Sequence, residues 1–216
     1  MVTRREASAG LISAAVAAGG PAFSDEQTVV KLVPPRKSGG MSVMEAFSTR
    51  HSTREFADEP LPPHVISDLL WAAFGVNRTS GDRTAPYWRH IMVIDVYAAM
   101  ANGVWFYDPK EHVLRRHSPA DLRAVTGQQD FVGAAPLNLI YVANGDRMTD
   151  VSPEDRRLFA SVDTGFIGQN VYLYCASEGL GSVFRGAVPY KKLESEMKLG
   201  AGQFVTFAQT VGYPKK

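Results

Sequence analysis

Apolar residues recur at helical spacing in two early stretches of the chain. In "PPHVISDLLWAAFGV", Val65, Ile66, Leu69, Leu70 and Ala73 fall three or four positions apart and Gly75 follows, which predicts a helix ending there. "SVMEAF" is shorter, but Ser42 stands three residues before Glu45, the spacing of a reciprocal N-terminal cap. Before these, residues 25–40 ("TVVKLVPP", then "RKSGG") read as an extended arm. Residues 76–88, rich in turn formers, read as a loop.

From residue 90 the pattern changes to β-branched and aromatic runs. "HIMVIDVYAA" and "GVWFYD" predict strands, and "HVLRRH" pairs with the second across the Asp108-Pro109 turn. "SPADLRAVTG" predicts a short helix capped by Ser118 with Pro119 at its first position. "PLNLIYVAN" is largely apolar, as expected of a strand buried on both faces. "GSVFRGAV" and "QFVTFAQTVGYP" predict two more strands, with a helix opened by Pro189 between them.

The segment 158–181, "LFASVDTGFIGQNVYLYCASEGLG", predicts a long helix through the core. It carries Asp163, Gln169 and Asn170, with Gly165 and Gly168 among them. Buried polar groups need partners, and helix glycines imply a close approach. A planar polar ligand or a second copy of the helix would meet both needs; the other reading is that these residues line a solvated edge. The element order predicts an α+β fold, one sheet covered by helices. "GLGSVFRG" leaves a helix and enters a strand, the reverse of a dinucleotide-binding glycine loop, and is excluded as one.

At 216 residues the chain suits one domain with a sizeable core. Its 23 basic and 22 acidic residues argue against a general nucleic-acid binder. The lone cysteine, Cys175, excludes an intrachain disulfide and reads as a small core residue. No Cys/His group has zinc-ligand spacing. Residues 1–24 have the zones of an export signal: Arg4-Arg5, an apolar run from Ala9 to Ala18, then small residues at Ala22 and Ser24. The paired arginines resemble a twin-arginine signal, although Ala7 and Ser8 stand where bulky apolar residues are common. Export to the periplasm or beyond is therefore expected, with general secretion and a cytoplasmic location as alternatives. Residues 25–216 form the expected single domain.

"STRHSTREF", residues 48–56, concentrates anion-binding chemistry: Arg50 and Arg54 offer forked guanidinium groups and Ser52 a hydroxyl. Alone this is a weak signal. Followed in order by "LPPHVISDLLWAAFGVNR", "DTGFIGQNVYLYCASEGLGS" and "QTVGYP", it resembles the nitroreductase family of flavoproteins, nearest the branch of dehydrogenases that mature azole-containing peptides. The resemblance spans about Val29 to Pro214. It implies a homodimer holding FMN at the subunit interface. Arg50, His51, Ser52 and Arg54 would bind the phosphate and ribityl chain, with Lys215 adding charge. Glu178, Gly179, Leu180 and Gly181 would pass the isoalloxazine ring, a backbone N–H approaching N5. It further implies an FMN-dependent oxidoreductase that passes electrons to a small acceptor of nitroaromatic or quinone type by ping-pong kinetics, with no protein nucleophile.

One stretch departs from the family pattern. In "RTAPYWRHIMVIDVY", His90 and Met92 stand where amide side chains commonly face the flavin, and Tyr87 and Trp88 where small residues are usual. His90 can still donate a hydrogen bond, whereas Met92 cannot. Tyr87, Trp88 and His90 become candidates for lining the substrate pocket. Two further readings stay open: a flavin-dependent dehydrogenase of an unknown organic substrate, and a non-catalytic flavin-binding protein. NAD(P)H as donor is in doubt for an exported protein.

Overall fold

In a computed structural model the described residues are 28–215, so the expected export signal at 1–24 lies outside them. A short strand, β1 (Val29–Lys31), leads through the arm to helix α1 (Val43–Thr49). The Ser42 hydroxyl accepts the Glu45 N–H at 3.2 Å, and the Glu45 carboxylate accepts the Ser42 N–H at 2.9 Å, so both orphan donors are satisfied. Helix α2 (Pro63–Phe74) begins on a proline, and the five periodic positions predicted from sequence are all buried.

Next come β2 (Ile94–Met100), β3 (Gly103–Asp108), β4 (Val113–Ser118) and β5 (Leu137–Asn144). The long helix α3 (Pro153–Ser177) follows, then β6 (Gly181–Arg185), α4 (Tyr190–Glu196) and β7 (Gln203–Gly212). The strands form one antiparallel sheet in the order β1-β4-β3-β2-β5-β7-β6. Strand β5 lies inside the sheet, between β2 and β7, and serves two cores. Leu137, Leu139, Tyr141 and Ala143 face the larger one under α2 and α3; Ile140 and Val142 face the smaller one, with Leu193 of α4. This is why its sequence is apolar without alternation.

Three expectations need correction. The strand expected from His90 starts only at Ile94, because Arg89 and His90 take left-handed angles (φ 45° and 57°) that break extension. The helix expected after Ser118 is reduced to a 3₁₀ turn at Arg123–Val125. Ser118 is still paired with Val104 in the sheet, and the Asp121 carboxylate takes the Arg123 N–H and guanidinium instead.

The third correction concerns α3. The helix starts earlier than predicted, with Ser152 capping the Asp155 N–H and Pro153 at the first position. It lies across the sheet with only one face buried. Its polar residues find partners inside the chain: Asp163 accepts the Trp88 N–H, and the Asn170 amide donates to the Ala72 carbonyl at 3.1 Å. Gly168 is set against the Phe184 ring, which a Cβ would approach to 2.5 Å. Burial of α3 therefore does not call for a ligand. Gln169 and Gly165 lie on the exposed face, in line with Leu158, Val162 and Phe166.

Candidate active site

The stretch after α1 is built by its backbone. Arg50 caps α1 by donating its N–H to the Ala46 carbonyl. The chain then runs extended between the start of β6 and the end of β7. Thr53 N–H donates to Ser182 O at 2.9 Å, Ala57 N–H to Tyr213 O at 2.9 Å, and Lys215 N–H to Glu55 O at 3.0 Å. With backbone groups holding the segment, its side chains are left over. Arg54 and His51 are exposed, while Arg50 is half-buried with its guanidinium 5.2 Å from the Tyr172 ring centre. The His51 Nδ1–H donates to the Thr49 carbonyl at 2.8 Å, since a carbonyl can only accept.

Tyr172 is the residue the sequence reading missed. Its hydroxyl accepts the Phe184 N–H at 2.8 Å and meets the Ser52 hydroxyl at 2.9 Å, tying the basic stretch to α3 and β6 together. The signal was helical spacing: Tyr172, Cys175, Ala176 and Gly179 recur at three- and four-residue steps and line one cleft of about 210 Å³. Thr49, His51, Leu180, Ser182 and Pro214 complete that cleft.

The turn at 178–181 has a local cause. Leu180 N–H donates to Cys175 O at 2.8 Å and Gly179 N–H to Ala176 O at 3.5 Å, a Schellman ending of α3. Gly179 takes φ +68°, the left-handed position such an ending demands. A Cβ there would meet nothing within 4 Å, so the turn presents bare backbone to open space. The N–H groups of Glu178 and Leu180 are committed to helix carbonyls at 3.0 and 2.8 Å; that of Gly179, at 3.5 Å, is held weakly. The Glu178 carboxylate is held by Arg36 at 2.5 Å. Gly181 serves packing: a Cβ would come within 2.8 Å of the Thr53 side chain. Burial pushes the Cys175 thiol up, so at neutral pH it is an inert core group.

The structure thus brings Arg50, His51, Ser52, Arg54, Lys215 and the 178–181 turn to one place. Tyr87, Trp88, His90 and Met92 are elsewhere in the chain. Trp88 stacks on Phe159 at 5.2 Å, and its N–H is held by Asp163 at 3.0 Å from both oxygens. Asp163 is nine residues before Tyr172, roughly 13 Å along the helix. Tyr87 donates to Asp82 and has its ring edge-on to His90 at 5.9 Å. Burial raises the Asp163 carboxyl to about 6, partly offset by the Trp88 N–H.

A seven-stranded antiparallel sheet with helices on both faces and a basic segment clamped beside a glycine turn make up the α+β scaffold and its candidate site. The profile described as "Nitroreductase family" matches residues 47–213, and the chain belongs to that family. It is similar to "Putative nitroreductase MJ1384" of Methanocaldococcus jannaschii, with 30% identity over 160 residues, 69% of this chain and 81% of that one. It is also similar to a like-named protein of Ralstonia eutropha JMP134 in a crystal structure, with 44% identity, a TM-score of 0.85, and 91% and 94% of the two chains covered. The fold alone is shared with the E. coli microcin synthetase McbBCD complex, at 20% identity and a TM-score of 0.70, covering 87% of this chain and 78% of that one. Family membership supports an oxidoreductase.

Proposed function

We propose that this chain is an FMN-dependent oxidoreductase working as a homodimer. The observation that carries the reading is a cleft lined by His51 of the basic stretch and by the bare Gly179 turn, with the rest of that stretch held beside it through the Thr53–Ser182 and Lys215–Glu55 backbone bonds. These residues fit a phosphate joined to a flat ring. Arg50 and Arg54 would hold the phosphate by charge-assisted bonds, with Lys215 adding charge and Ser52 a hydroxyl. His51 keeps Nε2 for the cofactor, because Nδ1 is spent on Thr49. The Gly179 N–H is the donor in the turn most able to leave its present partner. Bound FMN would supply two-electron transfer between a donor and an organic acceptor. The protein's part is to hold the ring, to keep Cys175 out of the chemistry, and to admit donor and acceptor to one cleft in alternation.

The dimer reading rests on a coherent apolar face. Met44 is 72% exposed and Phe47 52% on α1; Leu158, Val162 and Phe166 are 56%, 47% and 45% exposed on α3. Such a contiguous patch marks an interaction surface. Two copies related by a twofold axis, with their α3 helices antiparallel, would bring the 87–92 segment of one copy towards the basic stretch of the other. That arrangement gives Tyr87, Trp88 and His90 a place in the pocket that a single chain does not.

The deciding experiment is flavin titration by fluorescence quenching, with dimerisation followed by light scattering. Wild type should bind FMN more tightly than riboflavin, and Phe166→Glu should yield a monomer with weakened FMN binding. Equal affinity for both flavins would remove the phosphate site; a monomeric wild type that binds FMN fully would remove the interface. Export rests on Arg4-Arg5: replacing both by Lys should retain the precursor inside the cell, and unchanged secretion would refute the twin-arginine route.

A further inference from the structure

A second cavity, of about 340 Å³, opens between β2, β3 and the loop before Trp88. Its walls are Phe74, Ile94, Val96 and Phe106, and its polar groups are unusually distributed. Arg147 and Asp95 pair at 2.9 Å, and Arg147 also donates to the Met92 carbonyl at 2.8 Å. Asp108 is taken by Arg115 at 3.1 Å and by the N–H groups of Lys110 and Glu111. The nearby Asp82 receives Ser80 and Tyr87 and pairs with Arg78. Every carboxylate around the cavity already has its cation.

Arg83 does not have an anion. It is 5% exposed, and its hydrogen bond to protein is from Nη1 to the Gly81 carbonyl at 3.1 Å. Its Nε–H is buried with no partner, and among the described residues no carboxylate lies within ion-pair distance. The guanidinium lies 5.7 Å from the Phe74 ring centre, and Arg83 lines the cavity. Burial lowers its pKa, and the more distant Asp108 and Asp82 charges offset this only in part. A buried charge left this way is costly, and a carboxylate meeting the guanidinium is its natural complement. Lys110, exposed at the rim, adds a second positive charge.

We propose that this cavity is a binding site for a small organic carboxylate with a flat apolar body, its carboxylate on Arg83 and its body against Ile94, Val96 and Phe106. The size is at the small end for ligand pockets, which fits a single-ring acid. Arg83 belongs to the loop that carries Tyr87 and Trp88, and the Met92 carbonyl is fastened to Arg147 at the same cavity. A bound acid therefore holds the 83–92 segment from behind. The proposal stands on the cavity and Arg83 alone and does not require bound flavin, since within one chain the cavity shares no residue with the cleft at Gly179.

The test uses benzoate as the probe, with benzyl alcohol and inorganic phosphate as controls, on the full-length protein as purified. Hydrogen–deuterium exchange should slow in peptides covering 83–96 and 103–110 when benzoate is added. Benzyl alcohol lacks the charge and phosphate lacks the ring, so both should bind at least about tenfold more weakly. Arg83→Met should weaken benzoate by about tenfold to a hundredfold and leave benzyl alcohol unchanged. If Arg83→Met does not fold, Lys110→Met at the rim should lower benzoate affinity by a few-fold, and the wild-type footprint stands by itself. Protection confined to 49–54 and 172–182, no protection at tens of millimolar benzoate, or an unchanged affinity in the folded variants would each overturn the proposal.

Discussion

The basic stretch at 50–54 and the loop at 82–92 both lean on α3, yet they are constructed in opposite ways. The first is held by backbone hydrogen bonds to β6 and β7, so Arg54, His51 and Lys215 are left with their side chains outward. The second spends its own aromatic side chains on anchoring, Tyr87 on Asp82 and Trp88 on Phe159, in addition to its Trp88 N–H on Asp163 and its Met92 carbonyl on Arg147. A segment anchored by its backbone can spend its side chains on a ligand. A segment anchored by its side chains has already spent them. On the proposed reading, that difference would let the 50–54 stretch serve a ligand within one chain, whereas Tyr87, Trp88 and His90 would join the pocket only through a partner copy.

The largest effect separating the two regions is expected at Asp163, which secures the loop but not the basic stretch. Its carboxyl is raised to about 6 in the folded protein, against an ordinary value near 4. The folded state therefore binds the proton more tightly, and the stabilisation present below pH ~4 is lost as pH rises through about 6. Two pKa units correspond to about 3 kcal/mol. Urea unfolding should show wild type losing about that much between pH 4 and 7 relative to Asp163→Asn. Parallel pH profiles for the two proteins would mean that the carboxyl does not titrate in this range.

Next in size is Arg54→Ala, which should leave stability within about 0.5 kcal/mol because the side chain is exposed. FMN affinity should fall by tenfold to a hundredfold, about 1.5–3 kcal/mol, with Arg54→Lys recovering part of it. Riboflavin titrations should be indifferent to both. If both flavins weaken equally, the stretch is structural and the contrast between the two regions collapses.

The glycine turn sharpens the comparison. Gly179→Asn should cost little stability, because Asn tolerates left-handed angles, whereas Gly179→Val should cost about 1–2 kcal/mol. Both fill the open space over the backbone, so both should impair FMN binding. If only the valine variant does so, the turn serves the helix ending alone. Gly181→Val is the wrong probe for the ring, since its Cβ meets Thr53 first. Smallest is Tyr172→Phe, which leaves the Phe184 N–H and the Ser52 hydroxyl without their partner. Thermal unfolding should register a loss of about 1 kcal/mol, with a weakened preference for FMN over riboflavin as Ser52 drifts.

Much of this molecule was legible in order along the chain. Periodicity located α1 and α2 with their caps, the strands from Gly103 onward, and a central β5 buried on both faces. These follow from local rules, since capping and alternation act over a few residues. The two arginines and the glycine turn were recognisable as residue types whose chemistry is tied to their position. The folded chain alone decided the rest. The 3₁₀ turn at 123–125 replaced a helix because sheet pairing took Ser118 first. Asp163 and Asn170 proved to be fastened to the loop and to α2, nearly a hundred residues away in the case of Asn170. Tyr172 gained its role from two neighbours, Ser52 and Phe184, that only folding brings to it, and Arg83 lost any anion in the same way. Such pairings depend on contacts between distant segments, where a hydrogen bond or its absence is set by the packing of the whole sheet and helix layer and leaves no mark on the spacing of residues along the chain.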